Sequence, residues 1–275
     1  MLTRVLYKFL CSIIGLTSLL ILPAAVSAHE FWLEPLSFSI ERGDNIQAHI
    51  KVGQGLDGDT YGYFPANFER FDLTVKDTTQ PLKNRFAQKP AVDQPTTSSG
   101  LHIFTYQSRP SKLRYEKRET FEKFLREEGI EWVLKAHEKR GLPSLDFTEL
   151  FKRFAKSLVK VGEGEGQDRL TGLPFEWVVL DNPYTNSEKK KISAQLFFED
   201  KPFSGSTVNV FIKRDDKVDQ IKLETDEKGR IEVPVEDGGL FLVNAVHMVE
   251  PSQKVAGSSR AVWMSLWAST TFLID

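Results

Sequence analysis

The residues best placed to do chemistry stand at the head of AHEFWLEP, Ala28–Pro35. If an export signal is cut after Ala28, His29 becomes the first residue of the mature chain. A chain-terminal histidine offers two nitrogens from one residue, the free α-amine and the imidazole Nδ1. Together they close a chelate ring on a metal ion. Both must be deprotonated to bind, so low pH disarms the pair. Imidazole and amine donors suit borderline ions, so the expected cofactor is a divalent transition metal, Ni, Co or Cu, with His29 as first ligand. The plainer reading is an incidental first residue ahead of an aromatic strand anchor.

Four further residues complete the candidate metal set. His247 falls in register with Phe241, Val243 and Ala245 on an apolar strand face. It is a third ligand inside a hydrophobic shell, or a core histidine satisfied by a backbone carbonyl. His49 and His102 lie on faces opposite Ile46/Ile50 and Leu101/Ile103, and read more readily as surface or inter-sheet residues than as ligands. A hairpin centred on Arg42-Gly43 sets residue 29 opposite the mid-fifties, which brings Asp57, and beyond it Asp59, into range as carboxylates. His137 sits on a charged helix and reads as solvated. No HExxH, GxSxG, glycine-rich phosphate loop or zinc spacing occurs, so no catalytic residue is nominated. Glu30, Glu34, Glu176 and Glu250 are not paired by spacing for glycosidase work. Trp32, Trp263 and Trp267 belong to a core or line a sugar site. Two other classes stand beside metal binding. One is a non-catalytic interaction or carrier module in which aromatic packing explains AHEFWLEP. The other is a copper histidine-brace oxidative enzyme, which needs a second histidine beside His29.

These assignments depend on the leader. Arg4 and Lys8 form a positive start, Phe9–Leu22 is almost unbroken apolar, Pro23 breaks it, and Val26-Ser27-Ala28 is a small-residue cleavage site. The apolar run is short for a membrane span, which needs about 20 residues. Residues 1–28 therefore read as a cleaved signal peptide, and an uncleaved anchor is the rival reading. Losing Arg4 and Lys8 takes the formal net charge from −2 to −4. No clustered basic face points to nucleic acid. The single cysteine, Cys11, leaves with the signal, so no disulfide or cysteine zinc site is expected. Such a chain fits a bacterial periplasm. No second apolar run reaches spanning length, so no stable membrane insertion is expected after cleavage.

The elements that must position the site read as mainly β, in two immunoglobulin-like sandwich domains with an α-helical insertion in or after the first. Residues 29–165 form the first domain and 170–275 the second. Ile46, Ala48, Ile50 and Val52 alternate with polar residues, whereas Gly53–Gly62 reads as a loop. Phe68–Val75 and Leu101–Tyr106 are further strands. Between 112 and 162 the period changes to helical: Phe121/Phe124/Leu125, Trp132/Val133/Ala136 and Leu150/Phe151/Phe154/Leu158/Val159 mark three helices, with Thr120 and Asp146 as N-caps. Gly162–Gly172 is linker-like. Leu173–Leu180, Ala194–Phe198, Val208–Lys213, Leu240–Met248 and Ala268–Ile274 then return to β and build the second sandwich.

Several stretches together carry a resemblance: AHEFWLEP (28–35), KVGQG (51–55), ETFEKFLREEGIEWVLKAHEKRG (119–141), FKRFAKSLVKVG (151–162), GLPFEWVVLDNPY (172–184), ETDEKGRIEVPV (224–235), GLFLVNAVHM (239–248) and WMSLWASTTF (263–272). The chain resembles, over the whole mature length, a bacterial periplasmic family of unknown function linked to cobalt and nickel transport, the NikM-like proteins. The resemblance implies a periplasmic β protein that handles a metal ion and serves a membrane metal transporter. It also implies metal bound near a processed N-terminus that carries a histidine. Here His29 would itself be the first residue, so the family's backbone-nitrogen geometry does not carry over.

Overall fold

The structure is a computed structural model that describes residues 29–185 and 189–275. The expected signal peptide, 1–28, lies outside the described residues. In chain order the principal elements are β1 (Glu30–Pro35), β2 (Asn45–Gln54), β3 (Asp57–Tyr61), β4 (Phe68–Val75), β5 (Gly100–Ser108), α1 (Arg118–Glu128), α2 (Trp132–Lys139), β6 (Phe147–Val161), β7 (Phe175–Val179), β8 (Lys191–Phe198), β9 (Thr207–Arg214), β10 (Lys217–Glu224), β11 (Gly239–Val249) and β12 (Ala261–Ile274). A short helix, Gln253–Ser259, precedes β12. The chain is mainly β, in several sheets.

A ten-stranded sheet runs through the molecule in the order β10-β9-β11-β12-β6-β5-β4, with Thr78–Pro81 beyond β4 and two short strands paired onto β6. At its centre β6 and β12 lie parallel, Phe154 opposite Ala268, whereas the pairs flanking them are antiparallel. The strands expected in separate domains therefore meet in one sheet. On one face lies the sheet of β7 and β8, which closes a core with Phe154, Leu158, Val210, Val243 and Ala268. On the other face lie the β1–β3 sheet and the two helices, closing their own apolar clusters.

Side-chain alternation sorts these layers, since successive strand residues point to opposite faces. Along β12, Leu266, Ala268 and Phe272 face the β7–β8 side. Trp263 and Trp267 face the helices. The next two residues on that second face, Ser269 and Thr271, donate their hydroxyls to the Phe31 and Leu33 carbonyls at 2.6 and 2.7 Å. The edge of β1 away from β2 thus abuts the central sheet, where an unpaired strand edge would otherwise leave buried carbonyls unsatisfied. Phe31 and Leu33 enter one core, while Trp32, fully buried, packs in another with Leu56, Phe211 and Leu242.

Three expectations are corrected. Residues 147–161 form a strand, not the third helix. Leu150, Phe154 and Leu158 recur every four residues, a spacing that fits a helix face and is also a multiple of the strand period. The tertiary contacts decide: Phe154 and Leu158 face one core, and Ala155 and Val159 the other. A strand buried on both faces loses the simple alternation that would identify it. The expected caps fail with it: α1 follows Lys117, not Thr120, and Asp146 bends the chain at φ 58°. Second, Gly53–Gly62 is not a plain loop but a tight hairpin, with Gly53 opposite Gly58. A Cβ on Gly53 would come within 2.0 Å of the Asp57 carbonyl oxygen, so the glycines permit the close pairing. Third, the segment 162–172 is anchored. Lys156 on β6, with a side chain 1% exposed, reaches Asp168 at 2.6 Å and Glu176 at 3.1 Å, and donates to the Arg169 and Trp177 carbonyls.

Candidate functional site

The cleft at the start of β1 is built from three layers. Register sets Glu30 opposite Gly53, so His29 falls opposite the end of β2, as the hairpin argument expects. From the central sheet come Asn209 and Phe211 on β9 and Gln220 and Lys222 on β10. From the helices come Glu127 and Glu128, the last residues of α1. That helix ends at Gly129 with φ 68°, and a Cβ there would stand 2.2 Å from the Thr207 hydroxyl. The glycine thus allows the helix end to press against β9. The resulting cleft holds about 140 Å3.

Its electrostatics are unusual. Burial pushes the Glu128 carboxyl up to about 8, and the neighbouring Glu30 charge pushes the same way. Burial also raises Glu30 to about 7, with Glu127 adding to the rise and two backbone amides and Arg153 opposing it. Glu128 accepts from the Asn209 amide at 3.0 Å. Glu30 Oε2 is buried with no partner among the described residues. Glu127 and Glu128 also stand at the C-terminal end of a helix, where the dipole disfavours carboxylates. Lys222 offsets part of this charge and donates to the Glu127 carbonyl at 2.9 Å.

Two desolvated carboxylates, one with an oxygen free of partners, suit a cation. The donor set, imidazole plus carboxylate oxygens, suits a borderline divalent ion. Among the described residues, no three side chains of His, Cys, Asp or Glu converge on a single point. The fit therefore rests on the charge and on His29 sharing the cleft.

Of the five sequence candidates, only His29 lines this cleft. His247 lies across the central sheet, ringed by Phe175, Phe198 and Phe203 at 4.6 to 6.0 Å. Burial lowers it to about 4. Its odd-numbered place on β11 turns it away from Phe211 and Leu242, so it cannot share an ion with His29. His102 is buried, its Nδ1 3.1 Å from the Gly100 carbonyl. That position is six residues along β5 from Ser108, whose hydroxyl accepts from the Arg153 amide of β6, a run of about 20 Å. His49 pairs across from Glu34, the fifth residue of β1. Asp57 is exposed at the β2–β3 turn. His137 is not solvated: it is 2% exposed, accepts from Trp263 Nε1 at 3.0 Å and sits 2.8 Å from the Pro143 carbonyl. No second histidine lines the cleft, so a histidine brace lacks its partner there. Trp32, Trp263 and Trp267 are core residues and offer no sugar platform. Glu128 was missed; two acids in the last turn of a predicted helix, just before its stop glycine, are the signal that points to it.

A family model described as a domain of unknown function, DUF4198, matches residues 26–249. The chain belongs to the DUF4198 family. That description names no ligand and no compartment. No curated protein matches this DUF4198 chain. Among solved structures, a crystal structure of a tetra-tandem repeat in the extending region of a large adhesion protein has 11% identity and a TM-score of 0.22, over 90% of this chain and 50% of that one. The chain thus spans about half the length of that structure. The D0-D1 domain of intimin has 10% identity and a TM-score of 0.20, over 87% and 96%. Likenesses this weak carry no argument. No helix among the described residues is long and apolar enough to cross a membrane.

Proposed function

We propose that this protein is an exported, periplasmic carrier of a divalent transition metal, Ni, Co or Cu, and serves metal uptake or homeostasis beside a membrane transporter. Cleavage after Ala28 would give a free α-amine beside the imidazole of His29, the residue that lines the cleft with Glu30 and Glu128. The observation that carries the reading is the buried, partnerless Glu30 oxygen beside a second desolvated carboxylate, in the same cleft as His29. A bound cation would neutralise that pair and stabilise the ionised forms. The chelating amine and imidazole would supply selectivity for borderline ions over calcium or magnesium.

Calorimetry with Ni2+, Co2+ and Cu2+ tests this, on protein whose first residue is shown by mass spectrometry to be His29. Micromolar or tighter binding is expected. Glu128→Gln and Glu30→Gln should each weaken it at least tenfold, and one extra residue before His29 should abolish it. Binding that is absent, or indifferent to all three changes, overturns the reading.

A further inference from the structure

On the opposite flank of β1 lies a second cavity, of about 230 Å3. Its walls are aromatic: Phe31 of β1, Phe64, Phe68 and Tyr106 all line it. Tyr61, 43% exposed, and Phe64 stand at its mouth, and Phe64 meets the strongly exposed Phe86 edge-on at 5.2 Å. A cavity of this make-up takes an apolar ring.

At its base lies a cation without an anion. Arg153 of β6 stacks its guanidinium on Phe151 at 4.8 Å and Phe31 at 5.5 Å. Its Nη2 donates to the His29 carbonyl at 3.1 Å. Its Nε is sealed from solvent and has no acceptor among the described residues. The side chain as a whole keeps some contact with solvent, while the group that needs a partner has none. The phenols of Tyr106 and Tyr61 stand near Arg153 and add hydrogen-bonding capacity without a carboxylate's charge, and Glu30, on the other flank of β1, acts on it more weakly. No carboxylate among the described residues forms an ion pair with Arg153. An arginine packed between rings with no counter-charge is costly, because a buried charge requires pairing. Burial accordingly lowers Arg153 to about 10.

We infer that this cavity binds a small carboxylic acid bearing one aromatic ring, with the carboxylate on Arg153 and the ring against the Phe and Tyr walls. With Nε sealed and Nη2 holding the His29 carbonyl, Nη1 is the guanidinium donor left for the carboxylate, and the phenols of Tyr106 and Tyr61 supply further donors. The aromatic walls supply affinity for the ring that a bare inorganic anion would not gain. The site is separate from the cation cleft, because β1 stands between them and no carboxylate of that cleft lines the cavity.

Calorimetry with 3-phenylpropionate, 3-phenylpropanol and acetate, on the intact exported protein, decides it. Phenylpropionate is expected to bind at least tenfold more tightly than either of the others. Arg153→Gln should remove that preference over the alcohol. Because Arg153 also holds the His29 carbonyl, its loss can unfold the chain, so Tyr61→Ala at the open mouth is the second variant. It should weaken phenylpropionate several-fold with an unchanged melting midpoint. Equal binding of the alcohol, equal binding of acetate, or no binding of any probe overturns the inference. Glu128→Gln should leave phenylpropionate binding intact, so the failure of the metal reading and the failure of this one are told apart.

Discussion

Among single residues, buried acids set the pH response. Glu149 is fully buried on β6, where Ser265 and Tyr115 donate to its two oxygens. Burial outweighs those donors and raises it from 4.5 to about 7. A raised acid holds its proton more tightly in the fold than in the unfolded chain. The folded state therefore binds more protons between pH 4.5 and 7, stability falls as pH rises through that window, and it levels off above it. At about 1.4 kcal/mol per unit, the loss is roughly 3 kcal/mol. Glu149→Gln removes it, so the variant should melt higher than the parent at pH 8 and match it at pH 4.5. Glu30 and Glu128 titrate in the same direction, so the readout is the difference between the two proteins. Equal differences at both pH values would contradict this account. The sequence nominates His29 through its export pattern, but nothing in the order of residues marks Glu149, Glu128 or Arg153 as buried. Their desolvation comes from neighbours tens to more than a hundred positions away.

For individual elements, β6 carries the most. Its Lys156 ties the 162–172 segment and β7 to the central sheet through Asp168 and Glu176, both with fully buried side chains. Four backbone amides and a threonine hydroxyl complete the shells of the two acids. Lys156→Met leaves two buried carboxylates without their cation, a change that costs about 3–5 kcal/mol. Urea unfolding should show that loss, and a shift below about 1 kcal/mol would show the triad to be incidental. The same strand explains the misreading of this region. Its apolar residues recur every four positions, a period common to helix and strand, and only its pairing with β5 and β12 resolves the choice. α1 and α2 were legible because Gly129 and Gly141 stop them and because strand partners do not compete for their backbones.

In the whole molecule, the shared sheet predicts a single cooperative unit. β6 relies on β12 for one of its edges over ten paired positions. Residues 29–165 expressed alone should therefore fail to give a folded, dispersed NMR spectrum, and residues 29–275 should unfold in one transition by circular dichroism and tryptophan fluorescence alike. Two separated transitions would instead reveal two independent domains.

The order of residues, taken alone, determined the β character, the two helices and the position of His29 opposite the end of β2. These depend on local periodicity, turn residues and hairpin register, all of which act within a few tens of positions. The fold alone decided that β6 is a strand, that β12 joins both halves, that His247 faces away from His29, and that Glu128 meets Glu30. Each of those outcomes rests on burial and pairing between distant segments, and desolvation exists only once the layers have closed.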